Sequence, residues 1–215
     1  MSNVEMSVPR SIRTGDKEDP YLDIKIADSF SQVWSDVGSK AKMHCTVWRP
    51  NPYFGYFILG DYAQGNYDRA VGAPLIVKPV NDNPERPLLM PPTGWKQVWN
   101  DKHGGAKEDG SFWEPIPPMG YHALGHVAFP GNKPDDVPNI PNFRCVLADS
   151  LWPTNVRKEP IWTDKGSGAK KDCTLFSVDW DPNLFLAQGS YAPSYTGAAF
   201  MLRLAASGEP HLSPS

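Results

Sequence analysis

The chain is written three times over, and this restricts its fold more than any other feature. Moving residues 30–60 forward by 65 positions lays Gln32-Val33-Trp34 on Gln97-Val98-Trp99, Asp36 on Asp101 and Trp48-Arg49-Pro50 on Trp113-Glu114-Pro115. The same shift lays Gly55-Tyr56 on Gly120-Tyr121 and Leu59-Gly60 on Leu124-Gly125, without a gap. A third copy follows 63 positions later, with Trp162, Asp164, Ala169-Lys170, Thr174 and Phe176 in the places of Trp99, Asp101, Ala106-Lys107, Ser111 and Trp113. It then departs, reading Val178-Asp179-Trp180-Asp181-Pro182-Asn183. One inserted residue is expected to bring Gly189-Ser190-Tyr191-Ala192 into register with Gly60-Asp61-Tyr62-Ala63 and Gly125-His126-Val127-Ala128. Repeats of this period are units that cannot bury an apolar face alone and must pack on one another.

Each copy reads as about four short strands. The first is 32–36, and the second, 46–49, alternates with the period of two of a half-buried strand. Pro50 and Pro52 bar regular pairing and force an extended turn that Gly55 closes. The third strand is 56–62 and the fourth 75–80, matched by 143–147 and 199–204. With 23 prolines, 18 glycines and 8 tryptophans, and no long stripe of apolar residues at helical spacing, the chain reads as all-β. Three internal repeats of about four strands predict pseudo-threefold closure as a β-prism. The alternative, a β-trefoil, shares the symmetry and the Gln-x-Trp tripeptide, but that tripeptide occurs only at Gln32 and Gln97. The expected organisation is an N-terminal extension at 1–28 and one β domain at 29–205, with copies at 30–80, 95–148 and 160–204. A flexible tail at 206–215 would follow.

If the strands of a copy run up and down in order, loops 36–44, 101–110 and 164–173 gather at one end with 64–72, 130–139 and 193–197. Binding residues on a rigid β scaffold concentrate in such loops. Asn66, Tyr67 and Asp68, with Asn132 and Asp135, supply the amide, carboxylate and aromatic groups that a sugar needs for hydroxyl hydrogen bonds and ring stacking. Asp36, Asp101 and Asp164 recur in equivalent loops. Trp180 and Tyr195 fall outside the strict repeat and are expected to be exposed and ligand-facing. The plainer reading is that asparagine, aspartate and glycine make turns, the three aspartates by accepting backbone N–H groups. Lys42, Lys107 and Lys170 would then cover aromatic surface, and Trp34, Trp48, Trp99, Trp113 and Trp162 would fill the core.

Other classes find little footing. A net charge of −3 and a pI near 5.9 show no excess of positive charge for nucleic acid or an anionic membrane. No apolar run approaches the ~18 residues of a membrane helix. Cys45, Cys145 and Cys173 have neither disulfide nor zinc spacing and are expected to be reduced and buried. The first residues carry no secretory apolar core, which points to the cytoplasm. His122 and His126, four apart on one predicted strand, are the nearest approach to a metal pair. No metal or cofactor is expected, and no nucleophile elbow, P-loop or dinucleotide fingerprint marks an enzyme.

The doubled W-x-P-x-P-x-x-G-Y/F-x-x-L-G pattern at 48–60 and 113–125 resembles the vacuolar protein sorting-associated protein 62 family, as do Arg144-Cys145-Val146 and Asp149-Ser150-Leu151. The resemblance runs from about Val33 to Phe200. It implies a trafficking-associated role and offers no catalytic residues to carry over. The expected function is a non-catalytic, lectin-like module that binds a glycan or membrane-linked ligand. Alternatives are a protein–protein adaptor in vacuolar or endosomal sorting, or the receptor-binding part of a pore-forming or insecticidal system.

Overall fold

A computed structural model describes residues 19–133 and 135–203; the expected tail at 206–215 lies outside them. The fold is all-β, with one 3-10 turn at Ala148–Ser150 among the described residues, and its sheets are small rather than closed into a barrel. Three antiparallel three-stranded sheets form a first tier. They are built from Phe30–Ser35, Thr46–Pro50 and Tyr62–Gln64, from Gly94–Asn100, Gly110–Ile116 and Val127–Pro130, and from Val156–Thr163, Thr174–Val178 and Phe185–Gln188.

Each sheet sends one indole to a common centre. The ring centroids of Trp34, Trp99 and Trp162 lie 5.7, 5.7 and 5.4 Å apart, edge to face, so they mark the corners of a nearly equilateral triangle. Val47, Phe112 and Leu175, which share one register position, are fully buried around them. The threefold, β-prism-like closure expected from the repeat is present.

A second tier was not foreseen. The predicted third strand, 56–62, breaks at Leu59-Gly60-Asp61. Phe57–Ile58 pairs with Leu75–Val80, whereas Tyr62–Gln64 pairs with Thr46–Pro50. Leu75–Val80 also pairs with Tyr21–Ile26, which lies inside the segment expected to be an extension and buries Leu22 and Ile24. The second copy repeats this sheet with Leu89–Met90, Tyr121–His122 and Cys145–Leu147. Each unit thus divides its strands between two sheets, and the second tier closes over its own core of Leu59, Leu124, Val146, Leu184 and Leu202.

The third unit has only Leu151–Pro153 and Phe200–Leu202 in that tier. The cause is visible in the chain. Where the first two units make the proline-glycine excursion, the third makes a tight turn in which the Asp181 carboxylate accepts the N–H of Asn183, 3.0 Å away. Pairing with the middle strand then aligns Leu186-Ala187-Gln188 with Tyr62-Ala63-Gln64. The match expected for Gly189-Ser190-Tyr191-Ala192 is therefore corrected: Gly189-Ser190-Tyr191 corresponds to Gly65-Asn66-Tyr67.

That register explains the terminal glycine of the family pattern. Gly60, Gly125 and Leu184 are equivalent, and the two glycine backbones meet there against the Leu184 side chain. A Cβ on Gly60 would lie 2.9 Å from Leu184 Cδ2 and 3.0 Å from Gly125 Cα. Two copies give up a side chain so that the third can fill the axis with one.

Candidate functional site

The loops that were expected to be free are stitched into a closed end. Each indole N–H donates to a backbone carbonyl of the next unit at one equivalent position: Trp34 to Glu108 (3.1 Å), Trp99 to Lys171 (2.8 Å) and Trp162 to Met43 (3.2 Å). A second ring of bonds runs above the first, from the backbone N–H of Lys107 to Val37, of Lys170 to Lys102 and of Lys42 to Lys165 (2.8, 3.3 and 3.0 Å). Sequence reading found these lysines but assigned the work to their stems; the backbone does it.

Asp36, Asp101 and Asp164 are buried beneath this ring. The Asp36 carboxylate accepts the N–H of Cys45 at 2.8 Å and the indole N–H of Trp162 at 3.0 Å, and Asp164 accepts the N–H of Cys173 at 2.8 Å. Burial raises the Asp101 and Asp164 carboxyls above their usual range, against the hydrogen bonds they accept. Asp36 and Asp164 close their turns, whereas Asp101 Oδ1 is buried without a hydrogen-bond partner; all three are buried and do not stand out in the loops as the candidate binding residues were expected to. At the second position after each of them the backbone takes a left-handed turn. Glycine supplies it at Gly38 and Gly166, and His103 adopts it at φ 70°.

Beside each aspartate stands a partner from the neighbouring loop: Tyr67 for Asp36, Asn132 for Asp101 and Tyr191 for Asp164. These three are equivalent, and Tyr191 was missed because the third register was misread. Burial and the bond to Asp36 push the Tyr67 hydroxyl up to about 12. Its ring stacks on His44 at 4.5 Å. Of Tyr67 43% and of Tyr191 44% remain exposed.

The other candidates divide. Asn66 Oδ1 accepts from Gln64 Nε2 (2.6 Å) and from the N–H of Asp68 (3.0 Å), an Asx turn that leaves the Asp68 side chain outward. Asp135 is exposed, and its neighbour Asp136 accepts the N–H of Lys133 at 3.0 Å and so forms that turn. Trp180 packs against the second-tier core. Tyr195 does too, edge-on to Phe176 and His126, and burial pushes its hydroxyl up to about 12. Both rings are half-buried instead of fully exposed, and Tyr195 also lines two surface clefts beside Gly197.

Two buried polar groups escaped sequence reading. Asp61, fully buried, receives Arg49 through two bonds of 2.8 Å and the N–H of Ala128 at 2.9 Å. Desolvation raises its carboxyl, and Arg49 opposes the rise. His126, one unit on, accepts the N–H of Ala187 on Nδ1 at 3.0 Å, and burial lowers it to about 4. His122 instead stacks on Phe200 at 3.9 Å, so the two histidines hold separate places. Among the described residues no group of three His, Cys, Asp or Glu side chains is placed to hold a metal ion. All three cysteines are free and buried, and no described helix is long and apolar enough to cross a membrane.

Comparison with known proteins places this architecture. The crystal structure of GNIP1Aa from Chromobacterium piscinae is similar at 29% identity and a TM-score of 0.72, over 81% of this chain and 34% of that one. The chain thus spans about a third of that protein's length. No curated protein matches it in sequence. The family model of vacuolar protein sorting-associated protein 62 matches residues 12–207, so the chain belongs to that family.

Proposed function

We propose that this chain is a non-catalytic recognition module that engages a glycan or a membrane-linked ligand through the closed loop end of its column. The observation that carries the reading is the pair Tyr67 and Tyr191. Each places its hydroxyl beside a buried aspartate and leaves its ring about half exposed, at equivalent positions of two units. A fixed aromatic face loses little freedom on stacking against the apolar face of a sugar, and Asp68 lies one residue beyond Tyr67 as a hydroxyl acceptor. The absence of a catalytic role is part of the proposal: the buried aspartates serve the fold.

A glycan array followed by calorimetry tests this. Binding that weakens at least tenfold in the Tyr67→Ala/Tyr191→Ala variant supports it. A broad panel without binding removes the glycan version. Family membership favours a second reading, a protein–protein adaptor in sorting, with a short peptide added to a sheet edge. A stoichiometric cytosolic partner that competes with no glycan or vesicle would select it.

A further inference from the structure

The closed end carries a charge that the composition conceals. Three of its loops, 37–45, 102–109 and 165–172, hold Lys40, Lys42, Lys102, Lys107, Lys165, Lys170 and Lys171, all exposed, against Glu108, Asp109 and Asp172, and the adjoining loops 64–72 and 130–139 add Arg69 and Lys133 against Asp68, Asp135 and Asp136. The whole chain has a net charge of −3, so the rest of the molecule is the more acidic for it. None of the seven takes part in an ion pair among the described residues; the four pairs formed are Arg49–Asp61, Arg86–Asp149, Lys96–Glu114 and Arg157–Asp179. Lys42, Lys107 and Lys170 are equivalent in the three units, and their backbones form the ring that ties the loops together. They therefore surround the pseudo-threefold axis at one height, on a surface that cannot fold inward.

We infer that this lysine crown docks the column end-on against the anionic surface of a phospholipid bilayer. This rests on the reading above and selects the membrane from its two ligand classes. The crown has the form of a face and not of a groove. Four clefts among the described residues, of about 330, 340, 520 and 350 Å³, are lined by none of its residues. A plane of negative charge can meet all three units at once. Each lysine near such a surface contributes roughly a fivefold gain in partition, and salt screens it. The half-exposed Tyr67 ring, beside the same loops, suits the headgroup level. Summing charge over the whole chain, −3, discards this placement.

The full chain is sedimented with vesicles of phosphatidylcholine alone and of phosphatidylcholine with 30% phosphatidylserine, and compared with Lys42→Glu/Lys107→Glu/Lys170→Glu. The expected result is binding to the anionic vesicles only, reduced more than tenfold by the triple variant and by 0.5 M salt. Circular dichroism verifies that the variant folds. Equal binding by both proteins, no binding to anionic vesicles, or retention on heparin or a DNA oligonucleotide without vesicle binding would each overturn the inference. Glycan binding, measured in parallel, separates the two ideas: if the wild-type chain binds glycan but ignores anionic vesicles, the crown fails and the recognition reading stands.

Discussion

Leu184 fills an axial space that Gly60 and Gly125 vacate, and Leu184→Ala should expose how the three copies depend on one another. The side chain is 1% exposed, and two of its nearest neighbours are glycines with nothing to swing into a void. Leu→Ala costs about 3–5 kcal/mol where surroundings cannot collapse and less where they can. The substitution is therefore expected at the upper end, about 4 kcal/mol. Gly60→Ala should also destabilise, by about 1–3 kcal/mol, because its methyl meets Leu184 Cδ2 at 2.9 Å. Combined, the two should cost at least about 1 kcal/mol less than their sum, since the methyl enters space that the leucine has left. Urea unfolding followed by tryptophan fluorescence, with an unchanged m-value, reads each term. A cost below about 1.5 kcal/mol for Leu184→Ala, or strict additivity of the pair, would refute the axial packing.

Other expectations follow from the buried polar groups. Trp162→Phe keeps most of the ring but removes the donor to Asp36 and Met43, and should cost about 2–3 kcal/mol by chemical denaturation; a neutral result would show that the indole N–H adds nothing to the donors Asp36 already has in Cys45 N–H and Ser39 Oγ. Arg49→Met leaves Asp61 buried without its cation and should cost about 3–5 kcal/mol, partly recovered by adding Asp61→Asn. His126 is held neutral in the fold at about 4, below its unfolded value of 6.5. Its contribution is complete above pH 6.5 and is lost as pH falls towards 4, by about 2–3 kcal/mol. Asp61, Asp101 and Asp164, raised by burial, act in the opposite sense as pH falls through their folded values. The pH-dependent difference between wild type and His126→Phe isolates the histidine; parallel stability curves from pH 7 to 4.5 would show that it is not buried neutral.

Much of this was legible in the residues. Side chains that recur in register declare a shared place: Trp34, Trp99 and Trp162 pack the core, and Asp36 and Asp164 close their turns, as the plain reading has it. What was missed has two physical causes. Strands of two or three residues, such as Phe57–Ile58 beside Tyr62–Gln64, are too short for alternation to reveal that the chain changes sheets at Gly60. Similarity in the third unit was sought by residue type, whereas its pairing keeps Ala187 opposite Leu175 as Ala63 lies opposite Val47. That error hid Tyr191. The lysine crown was hidden differently: a net charge is a sum, and only the fold says which loops share an end.

The sharpest test of three copies closing on one axis is hydrogen–deuterium exchange at the indole N–H groups, read by NMR. Trp34, Trp99 and Trp162 each donate to the next unit, so their three N–H signals should be protected together and be lost together only on global unfolding. Rapid exchange at any one of the three, with the others still protected, would contradict the closed ring.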